Sequence, residues 1–131
     1  MEQEILLKSC RSNLYSIVIV PSNTIIVQDD GSLKAAWELG RRNRHGEIEV
    51  LVPNLTIFRI KVNNKIRYYI VDNCRIVKLK GVRGKIPCIG TVTLYKIPRG
   101  DYVFAIKYVE GRGAVYLMKK DIERSFRECK Q

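Results

Sequence analysis

Sixteen Ile, thirteen Val and four Thr make a quarter of this 131-residue chain β-branched. Branching at Cβ restricts χ1 in a helix and packs well on a pleated surface, so such a chain favours strands. These residues fall in short runs bounded by Gly, Pro, Asn or Asp. That punctuation predicts strands near residues 4–8, 14–20, 24–28, 47–52, 55–62, 66–72, 75–80, 91–97, 102–109 and 114–118. No linker-like segment or internal repeat divides them. The length suits a single compact domain, residues 1–131, burying roughly two-thirds of its unfolded surface.

Two segments carry helical rather than alternating spacing. Ser32, after Asp29-Asp30-Gly31, can cap a helix on which Leu33, Ala36 and Trp37 share a face. Arg41 and Arg42 would lie in its last turn, where positive charge suits the helix dipole. A second helix closes the chain, with Asp121 as its cap and Ile122, Phe126 and Cys129 on one stripe. The expected fold is therefore α+β and β-rich. It is mainly an antiparallel sheet or small barrel of short strands, with one internal helix (about 32–43) and a C-terminal helix (about 121–129).

Alternation also sets an expected register for each hairpin. Around Asn63-Asn64-Lys65, a three-residue loop pairs Val62 with Ile66, Ile60 with Tyr68 and Phe58 with Ile70, all apolar or aromatic. A two-residue loop would instead place Arg59 opposite Tyr68 and Ile60 opposite Arg67, mixing the faces. The turn at Pro98–Asp101 pairs Tyr95 with Phe104. The turn at Glu110–Gly113 pairs Tyr108 with Val115 and Ile106 with Leu117. Together these predict a three-stranded meander over residues 91–118 with one apolar face.

Charge is the feature that bears most on function. The chain carries 24 Lys and Arg against 13 Asp and Glu, a net charge of +11. Residues 1–49 are near neutral at −1 and residues 101–131 carry +2, whereas residues 50–100 hold eleven basic residues and only Asp72, for +10. In the three-residue register, Arg59, Lys61, Arg67 and Tyr69 share the outer face, with Lys61 across from Arg67. Lys78 and Lys80 join them, and the following loop Gly81-Val82-Arg83-Gly84-Lys85 adds Arg83 and Lys85, with two glycines that let the backbone approach a ligand closely. A like-charge pair across a ladder is mildly destabilising. Cations around a ring resemble a single-stranded nucleic-acid platform, in which Lys and Arg neutralise phosphates and the ring stacks on a base.

The expected function is that of a small basic nucleic-acid-binding protein, DNA or RNA, reading little sequence because strand-borne cations position rather than specify. Arg59, Lys61, Arg67, Lys78, Lys80, Arg83 and Lys85 would contact phosphates and Tyr69 would stack. Arg41, Arg42 and Arg44 would extend the track. The alternative is a non-enzymatic interaction module that assembles with itself, as a homo-oligomer, or binds an acidic protein; exposed sheet edges would favour such pairing. A metal-dependent nuclease built on Glu47 and Glu49, with Asp72 or Asp29-Asp30, is the minor alternative.

Other motifs are sparse. The chain has no Walker loop, dinucleotide fingerprint or His-Glu-x-x-His, so no cofactor is expected. Cys10, Cys74, Cys88 and Cys129 lack the close spacing of a zinc knuckle, and His45 is the single histidine. The four thiols are expected to be reduced and mostly buried, although one disulfide would suit a thermophile. The high Ile, Val, Lys and Arg content also suits one. No apolar run approaches the ~20 residues of a membrane span, and the acidic start does not resemble a signal peptide, so a cytoplasmic or other intracellular location is expected.

Overall fold

Thirteen strands form in a computed structural model that describes residues 4–130. The fold is α+β and β-rich, with three open antiparallel sheets and two short helices; no sheet closes into a barrel. The chain divides into two compact units. The first takes the residues up to Gln28 together with Leu33–Lys78; the second takes Asp29–Ser32 and the chain from Leu79 onward.

The first unit holds β1 (Leu6–Arg11), β2 (Tyr15–Val20), β3 (Ile25–Val27), β4 (Leu33–Ala35), α1 (Ala36–Leu39), β5 (Arg41–Arg42), β6 (Ile48–Pro53), β7 (Ile57–Val62), β8 (Lys65–Asp72) and β9 (Arg75–Lys78). One sheet has the order β1-β2-β6-β5 and the other β4-β3-β7-β8-β9. Val18, Val20, Ile48, Val50 and Val52 from the first sheet meet Ile26, Phe58, Ile60 and Val71 from the second in one buried cluster. Each fully buried side chain of this size contributes about 1.5–3 kcal/mol of hydrophobic stabilisation.

The internal helix is much shorter than the expected 32–43, at four residues. The backbone N–H and hydroxyl of Ser32 both donate to Asp30 Oδ1, at 2.9 and 2.6 Å, which closes a turn rather than starting a helix. Leu33–Ala35 then pairs with Ile25–Val27 as a strand. Trp37 is 59% exposed and not part of the core; Ala36 is the buried residue of this helix. At Gly40 the helix end approaches β6 so closely that a Cβ would collide with the Glu49 carbonyl oxygen. Arg41 and Arg42 therefore leave the helix as a strand beside β6.

The second unit is a four-stranded sheet of β10 (Lys80–Ile86), β11 (Gly90–Lys96), β12 (Tyr102–Val109) and β13 (Gly113–Met118), followed by α2 (Lys119–Glu128). The expected meander is thus extended by an edge strand. Ile122 of α2 is fully buried against Ile86, Val92 and Ala105. Asp121 lies in the first turn of α2 rather than capping it, and Phe126 is 56% exposed instead of continuing the stripe.

The cysteines are paired, contrary to the expected reduced thiols. Cys10 is bonded to Cys74 in the first unit, with 5.6 Å between Cα atoms. Cys88 is bonded to Cys129 in the second, with 6.0 Å between Cα atoms. The second bond ties the β10–β11 turn to the end of α2, and the Ser125 hydroxyl donates to the Pro87 carbonyl beside it.

Candidate nucleic-acid interface

The β7–β8 hairpin adopts the two-residue loop, not the three-residue one. Asn63 and Asn64 both have positive φ, 51° and 64°, and the ladder pairs Val62 with Lys65, Lys61 with Ile66, Ile60 with Arg67 and Phe58 with Tyr69. Asn tolerates the left-handed region better than most residues, and two such residues in succession form the turn that matches strand twist. Mixed faces are tolerated because the strands are buried on both sides near their base, at Ile57, Phe58, Tyr68 and Ile70, and exposed towards the tip.

This register redistributes the expected basic face. Arg59 and Lys61 lie on one side with Tyr68 and Ile66, whereas Arg67 and Tyr69 lie on the other with Phe58 and Ile60. Lys61 and Arg67 are not partners across the ladder. Lys78, opposite Tyr69, is on the Arg67 side. Tyr69 packs against the core cluster, and its hydroxyl donates to Glu4 Oε2 at 3.2 Å. Burial pushes its pKa up, while the neighbouring Arg67 guanidinium pulls the other way. Its ring is therefore half-buried against the core.

The remaining arginines separate in the same way. Arg41 pairs across from Glu49, Arg42 is drawn into its own turn by donating to the Gly46 carbonyl at 3.0 Å, and Arg44 is exposed in that turn. Arg59 is half-buried.

Lys80, Arg83 and Lys85 belong to the second unit, all in β10, where Arg83 and Lys85 were expected in a loop. A Cβ on Gly81 would lie 3.2 Å from the Tyr95 ring, so this glycine makes room for an aromatic neighbour, not for a ligand. Lys80 is directly across from Lys96. Alternation puts Arg83 and Lys85 on the opposite side, together with Thr91, Thr93, Tyr95, Ile106 and Tyr108. On that side Tyr95 and Phe104 stack with centroids 4.8 Å apart, and Phe104 and Tyr116 lie at 5.8 Å.

Tyr108 is the residue that sequence reasoning missed. It is 74% exposed and stands opposite Ala114, which leaves its ring unshielded on that flank. The expected pairing of Tyr108 with Val115 was off by one residue; the ladder pairs Ile106 with Tyr116 and Lys107 with Val115. The slip puts Ala114 across from Tyr108, while the pairing of β10 with β11 and of β11 with β12 places Tyr108 on the side of Arg83 and Lys85. Alternation of Arg83 and Lys85 in a strand beside β11 was the signal that would have found it.

No known protein family, characterised protein or solved structure matches the chain. The geometry therefore stands alone. Among the described residues, no three His, Cys, Asp or Glu side chains gather as a metal site would require. Glu49 accepts from Lys8 Nζ at 2.7 Å, and Glu47 precedes β6 within the Asn43 turn. Lys61, Lys78, Lys80, Arg83 and Lys85 are exposed, and among the described residues none has an acidic partner at salt-bridge distance.

Proposed function

We propose that this chain is a small non-enzymatic nucleic-acid-binding protein that grips the phosphate backbone with little regard to sequence. The observation that carries the reading is the set of exposed cations that have no acidic partner among the described residues. These are Lys61 and Lys78 in the first unit and Lys80, Arg83 and Lys85 in the second. Surface ion-pair networks of the thermophile kind need more acids than residues 50–100 supply, where Asp72 is the one acid. The pairing of Lys80 with Lys96 has the same sense, because two cations across a ladder repel until an anion approaches.

The test is anisotropy of labelled DNA and RNA over a salt series. Binding should weaken linearly on a log–log plot, with a slope that counts the phosphates neutralised. Lys61→Glu/Lys78→Glu and Arg83→Glu/Lys85→Glu should each reduce affinity and flatten that slope. Unchanged affinity in both double variants would overturn the assignment.

One observation favours a second reading, assembly of the chain with itself. The outer side of the β1-β2-β6-β5 sheet carries Leu6, Tyr15 and Leu51, exposed at 54, 53 and 65%, around half-buried Ile17 and Ile19. Uncovered apolar sheet of this kind marks a contact surface. It lies where the chain is near neutral, so a second copy meets little of the repulsion that +11 otherwise imposes.

A further inference from the structure

We infer that the second unit takes single-stranded rather than duplex nucleic acid, with a base stacked on Tyr108 and the neighbouring phosphates held by Arg83 and Lys85. The inference rests on the nucleic-acid reading above and assigns its strandedness and its aromatic residue.

Three features carry it. Tyr108 is far more exposed than the other tyrosines of this sheet face, Tyr95 and Tyr116, and nothing larger than Ala114 stands across the ladder from it. An exposed ring between short side chains can receive a planar ligand on its face. Arg83 and Lys85 come from the edge strand β10, two strands away on the same side. At roughly 4.8 Å per strand, cations and ring are about 10 Å apart, so one short stretch of polynucleotide can reach both. Thr91 and Thr93 lie on the strand between them, exposed and half-buried.

Duplex recognition fits this face poorly. A major groove admits a helix or a two-stranded ribbon. The ribbon available here, β12–β13, ends in Glu110-Gly111-Arg112, a tip whose two charges cancel and leave no net cation for phosphates. A base inside a duplex cannot offer its face to a ring, whereas every base of a single strand can.

The experiment compares fluorescently labelled oligo-dT, oligo-U and a mixed-sequence duplex of about 12 units each. The ligands are titrated with the intact, oxidised protein, Tyr108→Ala, Tyr108→Phe and Arg83→Glu/Lys85→Glu. Single strands should bind more tightly than duplex. Tyr108→Ala should weaken single-strand binding by roughly 5- to 100-fold with an unchanged salt slope, because a stacking contact has been lost and no phosphate contact. Tyr108→Phe should bind as the parent does, and the charge-reversal pair should flatten the slope. A preference between oligo-dT and oligo-U would name the sugar.

Parent-like binding by Tyr108→Ala, or duplex binding as tight as single-strand binding, would overturn this inference. Either result would leave phosphate gripping intact if the charge reversals still weaken association. Absence of binding to all three probes at low salt would overturn both readings together.

Discussion

Tyr95 and Phe104 face each other across β11 and β12 with ring centroids 4.8 Å apart and planes within 4°. Phe104 is fully buried, and Tyr116 flanks its other side at 5.8 Å. This three-ring row links β11, β12 and β13 of the second unit, and its geometry is set by strand pairing. Phe104→Ala removes the middle ring and leaves a cavity that β-strands cannot collapse to fill. The variant should lose about 3–5 kcal/mol, read as a lower urea midpoint, with Phe104→Leu intermediate.

The two disulfides should make stability depend on reductant. Cys10–Cys74 closes a span of 64 residues and Cys88–Cys129 one of 41. Restricting the unfolded chain over loops of these sizes is worth about 4 kcal/mol each by the chain-entropy account. Denaturation with and without dithiothreitol should therefore give clearly different midpoints. Intact-mass measurement after alkylation without reduction should find no modified thiol. A fully alkylated protein of unchanged stability would show that neither bond forms.

The strand pattern was legible because alternation and punctuation are local properties. All ten expected segments contain a strand. What was missed depended on distant groups. Leu33–Ala35 has helical composition, but pairing with β3 supplies backbone partners that a four-residue helix cannot. Gly81 and Gly84 resembled loop residues, yet they lie in a strand where Tyr95 and Leu94 cross their faces. The hairpin at Asn63-Asn64 was misregistered because the sequence argument assumed one buried face. With burial on both sides, turn chemistry decides instead of hydrophobic matching. That one-residue shift is also why the expected basic face around Tyr69 divides between two sides, while Tyr108 came to notice only in three dimensions.

The same hairpin can be tested directly. Asn63 and Asn64 both occupy the left-handed region, where a β-branched residue is strained. Asn64→Val should cost about 1–2 kcal/mol, whereas Asn64→Gly should be neutral or stabilising. Backbone NOEs in the parent should connect Lys61 with Ile66, not Val62 with Ile66.

Alkaline pH should weaken the fold through its tyrosines. Burial raises the pKa of Tyr69, Tyr95 and Tyr102 above the ordinary 10.0. Between the unfolded and folded values, the unfolded chain has lost these protons while the native protein still holds them. Their contribution is therefore fully present below pH 10 and is lost as pH rises through the folded values. The thermal midpoint should fall across that window, and ultraviolet titration should show a tyrosine fraction ionising later than free phenol. Titration of every tyrosine at the ordinary value would contradict the burial of these three hydroxyls.

Self-assembly makes the sharpest demand on one residue. Leu51 is 65% exposed and pairs with Ile17 on the outer side of the β1-β2-β6-β5 sheet. Lys8 and Glu49 neutralise each other on the same sheet, so apolar contact and not ion pairing would drive association there. Screening by salt should then leave an assembled species intact, whereas binding to phosphates weakens as salt rises. On this reading, sedimentation velocity at high salt should show a dimer or larger species. Leu51→Lys should convert it to monomer with an unchanged circular-dichroism spectrum, because the side chain already faces solvent and its loss leaves the core untouched. A parent that sediments as a monomer at high salt would remove the second reading and leave the cations of residues 50–100 as the feature that function must explain.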